Sequence, residues 1–352
     1  MKRDERLEII KGLPKVELHR HLEGALRIGT MLELGRKYNL NLPLGDISSL
    51  LKLVAYNDGE PRTLAHFLTK FHSEWYRSYQ DIERVAGEAV TDAAGEGIVH
   101  LELRFSPEHF TRTSKLDLQG VMQAVCESAR AAAADAAIGV VFIITFTRER
   151  YDFSAWKKIV DLAAEMSEFG VAGVDLAGDE FHHPNDEFEK IFHRVLDTGV
   201  LGATIHAGEG TTARQVASAV EVLGARRIGH GLKAAEDPAV VQLLAGKGVA
   251  LEMCPISNYQ TGCVNDLQQH PLPQLDRSEV AVTINADDPS IHRSTINDDY
   301  DVAVTRWAYT LEDLLRLELN AVQAAFLPDD LRDDLRRRIE GGYAESRGQG
   351  LK

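Results

Sequence analysis

Two histidines separated by one residue, His19 and His21 in ELHRHLEG, are the first groups along the chain that could do chemistry. On a strand, residues two apart share a face, so both imidazoles can converge on one point. Further on, His206 stands in TIHAGEG, His230 in RIGHG, and Asp287 and Asp288 in TINADDP. Imidazole with carboxylate suits zinc or another first-row divalent ion, and no thiolate falls at these positions. A catalytic zinc commonly keeps three protein ligands and an open position for water, whose pKa it lowers to about 7. His19, His21 and His206 can supply the nitrogens, and Asp287 a carboxylate that partly neutralises the ion. Glu209 and His230 then remain for proton work, which a hydrolytic site needs both to activate water and to protonate the substrate.

Other chemistries fail on spacing. The GDE and GEG stretches are not part of a G-x-x-x-x-G-K-[ST] or G-x-G-x-x-G sequence between a strand and a helix. The H-x-E and P-C-x-x-C pair of one deaminase class is missing, since Cys254 and Cys263 lie too far apart, and there is no H-E-x-x-H. Barrels that hold two ions often bridge them with a lysine ending the fourth strand, but that strand here reads VDLAGDE. A mononuclear metal hydrolase is what survives. Cys254 in LEMCPISN reads as a small buried hydrophobe.

The elements that must position these groups follow from periodicity. Short β-branched runs at 16–19, 98–105, 140–145, 171–176, 203–206, 227–230, 249–253 and 281–285 alternate with longer helical stretches. Eight such strands predict an α/β fold, a TIM (β/α)8 barrel, with an open doubly wound sheet as the alternative. In a barrel the histidines and aspartates all fall at strand ends on one rim, where catalytic residues collect. The segment 27–96 departs from strict alternation and predicts a helical lid insertion after the first strand. Helices over 298–341 are expected outside the barrel, with a frayed tail from 345.

The 352 residues would allow about two domains, but no Pro-, Gly- or Ser-rich linker divides them, so one domain over 1–352 is expected. With 54 Asp+Glu against 39 Lys+Arg, a net charge of −15 and no basic patch, nucleic acid is excluded as a partner. The longest apolar run, 136–146, is too short to span a membrane. Three widely spaced cysteines and a charged amino-terminal stretch predict a reducing, cytoplasmic location. The oligomeric state is not legible.

Taken jointly, PKVELHRHLEGAL, LELRFSP, VDLAGDE, HAGEG, RIGHG, LEMCPISN and NADDPSIH resemble the successive motifs of the adenosine deaminase family, in order and spacing, from about residue 13 to 292. The resemblance implies a TIM barrel with one zinc per chain on His19, His21, His206 and Asp287. It implies that His230 orients or deprotonates the zinc water and that Glu209 protonates purine N1. By the same resemblance Asp288 contacts N7, the Gly178 backbone contacts N3, and AHFLTKF is the lid, with Phe67 and Phe71 walling the nucleoside pocket. The implied reaction is hydrolytic deamination of adenosine and 2′-deoxyadenosine to inosine and ammonia, with a small purine nucleoside as the partner.

One position departs from the familiar H-x-H-L-D-G pattern. Glu23 stands where the adenosine enzymes carry an aspartate near the ribose hydroxyls, and its extra methylene pushes the carboxylate deeper into the pocket. Adenine deaminase, or deaminase of a 5′-modified nucleoside such as aminodeoxyfutalosine, is therefore the alternative activity. A non-catalytic purine-binding protein is the alternative of another class; Glu209 and His230 beside the four ligands count against it.

Overall fold

The computed structural model describes residues 2–347; the last five residues of the expected tail, 348–352, lie outside the described residues. Eight strands alternate with helices: β1 Lys15–His21, β2 Ile98–Phe105, β3 Gly139–Thr147, β4 Val171–Ala177, β5 Gly202–Ala207, β6 Arg227–His230, β7 Ala250–Met253 and β8 Val282–Ile284. Each overlaps its predicted run. They pair in sequence order, every pair parallel.

The sheet closes on itself. Just past β8, Asp287 forms a parallel bridge with Arg20 of β1. The His21 N–H donates to the Asp287 carbonyl and the Asp287 N–H to the His19 carbonyl, both at 2.9 Å. Lower down, the Leu18 N–H donates to Asn285 Oδ1 at 3.0 Å. These contacts make a TIM (β/α)8 barrel of what could have been an open sheet.

Every residue of β2, Ile98–Phe105 with the sequence IVHLELRF, is buried, yet its two faces differ. Leu101, Leu103 and Phe105 alternate with Glu102 and Arg104. Glu102 pairs with Arg227 of β6, and Arg104 with Glu252 of β7. These strands are not neighbours of β2, so the pairs cross the lumen. The apolar face packs outward against the helices, and the lumen is an ionic core.

Phe326, in the link between the helices Leu311–Ala324 and Asp329–Glu345, plugs the lower end. Its ring lies 3.8 Å from the Arg227 guanidinium, and its N–H donates to Glu102 Oε1 at 2.6 Å. Glycines make room for the ring: a Cβ on Gly202 of β5 would approach it to 2.6 Å, and one on Gly173 of β4 to 2.7 Å.

Between β1 and β2 lie the helices Ile28–Lys37, Ile47–Val54, Leu64–Leu68 and Tyr79–Gly95. Local chemistry starts several of them: Asp46 accepts from the Ser49 N–H, Thr63 from the His66 N–H, and Ser78 forms a capping box with Asp81. Tyr79–Gly95 buries Ile82, Val85, Ala86, Ala89, Val90 and Ala93 and packs on β2 and the helix Leu118–Ala136. It is the crossover helix of the first βα unit. The additional pieces are the three shorter helices before it.

Gly202→Ala should force the Phe326 ring to withdraw and destabilise the protein by about 1–3 kcal/mol, the usual cost of overpacking. Urea unfolding should show a lower midpoint at unchanged slope. A midpoint equal to that of the parent would mean the plug yields freely.

Candidate active site

The closure of β1 on β8 brings His19, His21 and Asp287 together at the upper rim, and His206 joins them from β5. One ligand atom from each of the four lies within 4.8 Å of the others. His19 Nε2 is 3.3 Å and His21 Nε2 3.5 Å from Asp287 Oδ1, and the Nε2 atoms of His21 and His206 are 3.4 Å apart.

The outer ring nitrogens decide what the inner ones can do. His19 Nδ1 faces Glu252 Oε2 at 2.8 Å, and His206 Nδ1 faces Asp175 Oδ1 at 2.9 Å. An ionised carboxylate only accepts, so each Nδ1 carries the proton and each Nε2 presents a lone pair inward. Arg104 holds both carboxylates, donating to Glu252 Oε2 at 2.6 Å and pairing with Asp175 Oδ2 at 3.3 Å. Burial alone would raise these carboxyls. For Asp175 the His206 ring that donates to it and the Arg104 charge overcome it, and for Glu252 the charges of Arg104 and Arg227, so both pKa values fall below the ordinary range. Ser257 Oγ donates to Asp287 Oδ2 at 2.7 Å, which leaves Oδ1 to face the imidazoles.

His19 Nε2 is buried without a hydrogen-bond partner. Lone pairs of three imidazoles and a carboxylate converging on one point repel unless a cation sits among them. The donor set of nitrogen and carboxylate oxygen fits zinc or a similar divalent ion.

A second group of side chains faces the same point. Glu209 is buried beside the quartet, 3.8 Å from His230 Nε2, and burial together with the Asp287 charge raises its pKa to about 7. Asp288 is buried too, and burial and then Asp287 raise its pKa well above the ordinary range. A Cβ on Gly24 would lie 1.8 Å from Asp288 Oδ1. Only glycine permits that approach.

A relay fixes the tautomer of His230. The Leu272 N–H donates to His270 Nδ1 at 3.1 Å. Burial lowers the pKa of His270 to about 3, so the ring is neutral and its proton sits on Nε2. That proton is donated to Asn258 Oδ1 at 3.2 Å, which turns the amide nitrogen toward His230 Nδ1 at 3.1 Å. With Nδ1 accepting, and with burial lowering the pKa of His230 to about 3, its one proton lies on Nε2 and points at the site. His230 and Asp287 both adopt positive φ, 61° and 62°, a conformation that non-glycine residues keep mainly where the surroundings demand it.

His21, His206, Asp287, Glu209, His230 and Asp288 line a cavity of about 310 Å³ that also reaches Glu23, Gly178, Phe67 and Phe71. Glu23 Oε1 accepts from the Ser106 N–H at 2.6 Å, Oε2 is buried without a partner, and burial raises its pKa to about 7. Gly178 turns the chain with φ 103°. On the short helix Leu64–Leu68, Phe67 stacks on His292 at a centroid distance of 5.0 Å, and Phe71 meets it edge-on. Cys254 is buried with its thiol pKa raised by burial, the behaviour of a packing residue.

The candidate site residues singled out from the sequence thus line one cavity, except His19, which is fully buried behind it within the ligand quartet. Several that hold them were not singled out. Glu252 and Asp175 lie inside the motifs LEMCPISN and VDLAGDE, and Arg104 inside LELRFSP; the available signal was a charged residue at alternate positions of a strand expected to be buried. Asn258 and His270 carried no such signal.

A cation among these ligands, beside a carboxyl that keeps its proton near neutrality, is equipment for adding water across a polarised bond, and it sets the protein among the metal-dependent (β/α)8 hydrolases. Comparison with known proteins narrows the class. The chain belongs to the adenosine deaminase family, whose model matches residues 14–341. It is a hydrolase acting on C–N bonds, and the family is metal-dependent. An adenosine deaminase of Serratia proteamaculans (strain 568) is 37% identical over 333 residues, 94% of this chain and 98% of that protein. An amidohydrolase of Burkholderia ambifaria with bound Zn superposes with a TM-score of 0.87 at 25% identity, covering 98% of this chain and 94% of that one. An adenine deaminase of Arthrobacter aurescens gives 0.84 at 25%, covering 94% and 98%. Among the described residues no helix is long and apolar enough to cross a membrane.

Asp175→Asn should lower zinc affinity by about 10–100-fold, the usual effect of removing a carboxylate behind a ligating histidine. An amide can donate to Nδ1 and leave the proton on Nε2, where it blocks ligation. Competition against a chromophoric chelator measures this without reference to turnover; undiminished affinity would detach Asp175 from the metal centre.

Proposed function

We propose that the protein binds one zinc per chain on His19, His21, His206 and Asp287 and deaminates adenosine and 2′-deoxyadenosine to inosine and ammonia. The observation that carries this reading is the pair of buried carboxyls, Glu209 and Asp288, in the cavity beside the quartet. A purine presents lone pairs at N1, N3 and N7. Glu209 as an acid, the Gly178 N–H and Asp288 as an acid offer three donors to match them.

When bound, zinc supplies the Lewis acidity that makes water a nucleophile near neutral pH. Glu209 gives its proton to N1, which draws electrons from C6 and opens that carbon to water. Of the two roles the family resemblance allows His230, orienting or deprotonating the water, its Nε2–H supports orienting: it donates to the incoming oxygen and steadies the charge that develops there. Of the two protons the water sheds, one returns to the Glu209 carboxylate and restores the acid, and the other goes to the 6-amino group, which leaves as ammonia and restores the ring in its 6-oxo, N1–H form. Phe67 and Phe71 form an apolar wall on the lid side, and the segment 27–96 contributes this wall to one catalytic unit spanning the chain. The three free cysteines support a reducing, cytoplasmic location.

Glu23 favours a second reading. Its unpartnered Oε2 occupies space that an aspartate would leave to the sugar, which suits free adenine.

A panel of adenosine, 2′-deoxyadenosine and adenine, followed by loss of the adenine ultraviolet band, tests the assignment. Nucleosides turned over well above adenine support it, and adenine alone turned over transfers the assignment to the second reading. Metal analysis should return one zinc per chain, with activity lost on chelation. Glu209→Gln should retain the zinc and lower kcat by at least roughly 10²-fold, since the amide keeps the shape but cannot protonate N1. A Gln variant of undiminished kcat would place the acid elsewhere.

A further inference from the structure

Two arginines stand at the cavity mouth. Arg112 follows the short helix Pro107–Thr111 after β2, and Arg150 ends the turn Arg148–Arg150 after β3. Both line the cavity and both are exposed. Among the described residues neither guanidinium makes an ion pair or a side-chain hydrogen bond. Arg148 beside them behaves differently: it is buried and donates to the His183 and His206 carbonyls and to Asn185.

The surrounding carboxylates do not neutralise the pair. Glu149 also lines the cavity, but its carboxylate is turned to the Gly178 side, where it accepts from the Asp179 N–H at 2.8 Å. Glu23, Glu74 and Glu108 lie within electrostatic reach of Arg112, yet none of them forms an ion pair with it. Burial and the neighbouring Arg150 lower the pKa of Arg112 in turn, so the two cations stand close enough to repel. In a chain of net charge −15 these two cations make a local positive spot at the cavity mouth, which attracts the anionic part of a ligand.

Position says which part of a ligand would meet them. Glu209 follows β5, His230 ends β6 and Asp288 follows β8, whereas Arg112 and Arg150 follow β2 and β3. Glu23 lies between, tied to the turn that leads to Arg112 through the Ser106 N–H. A nucleoside whose base rests on Glu209, Gly178 and Asp288 runs its sugar past Glu23 and its 5′ end out to the arginines. We propose that Arg112 and Arg150 form an anion subsite, and that the preferred substrate is an adenine nucleoside carrying a phosphate or carboxylate beyond its 5′ carbon. The proposal rests on the deaminase reading above and specifies its substrate class.

The test compares kcat/KM for 5′-AMP and 5′-deoxy-5′-(carboxymethylthio)adenosine with that for the neutral 5′-deoxy-5′-(methylthio)adenosine, with adenosine as reference, in the parent, Arg112→Gln, Arg150→Gln and the double variant. The parent should favour at least one anionic nucleoside over the neutral one by about tenfold or more, the scale of one charge-assisted contact. That ratio should fall in each single variant, approach unity in the double variant, and decline with added salt. Preference for AMP assigns the subsite to phosphate, and preference for the thioether acid assigns it to carboxylate. Efficient turnover of neutral nucleosides with no anionic preference, or a preference that survives the double substitution, overturns the subsite and leaves the deaminase reading standing. Absence of turnover with all four compounds, in protein of full zinc content, takes both down.

Discussion

The backbone contact between β1 and the residue after β8 is the constraint on which the rest depends. His21 donates to Asp287, and Asp287 donates to His19, each at 2.9 Å. The pair of bonds that closes the barrel therefore also sets the spacing among three of the four candidate ligands. Asp287 meets that demand only with φ at 62°, a left-handed conformation that costs a non-glycine residue about 1–2 kcal/mol. Any change that reopens this seam separates the ligands before it touches their chemistry.

Beneath the seam the lumen is filled with paired charges. Taking ions out of water is expensive, and replacing buried pairs by apolar groups is often neutral or better for stability. Stability here comes mainly from the outward faces, where residues such as Leu101, Leu103 and Phe105 are fully buried. The pairs serve direction. Arg104 reaches both Glu252 and Asp175, and each carboxylate fixes the tautomer of one histidine. On the far side Arg227 holds the other oxygen of Glu252 at 2.5 Å and stacks on Phe326. The floor of the barrel and the metal centre at its rim are joined through one carboxylate.

The same logic runs through the proton-carrying groups. Burial alone would leave His230 neutral with either tautomer open; the chain from the Leu272 N–H through His270 and Asn258 selects one. On the lid side, Phe67 stacks on His292, whose Nε2 is 3.9 Å from Asp287 Oδ2. The short helix over the mouth thus rests on a ring that itself borders the metal centre, which gives lid position a physical route to the ligands.

By itself the sequence determined the eight strands, because apolar runs of strand length alternate with helical stretches, and it determined the candidate ligands, because His and Asp recur at the ends of those strands. The departure at Glu23 was equally legible, one side chain against a pattern. Tertiary structure decided the rest. Arg104 and Glu252 are 148 positions apart and Asn258 and His230 are 28, so no local spacing joins them. Within 27–96, packing on β2 made Tyr79–Gly95 a barrel helix and left only the shorter helices as additions, a distinction that four amphipathic stretches in a row do not carry. Arg112 and Arg150 are two surface arginines in the sequence; only closure of the barrel sets them side by side over the cavity. Pattern along a chain records which face of an element is buried, whereas the partner it is buried against is chosen by how the elements meet.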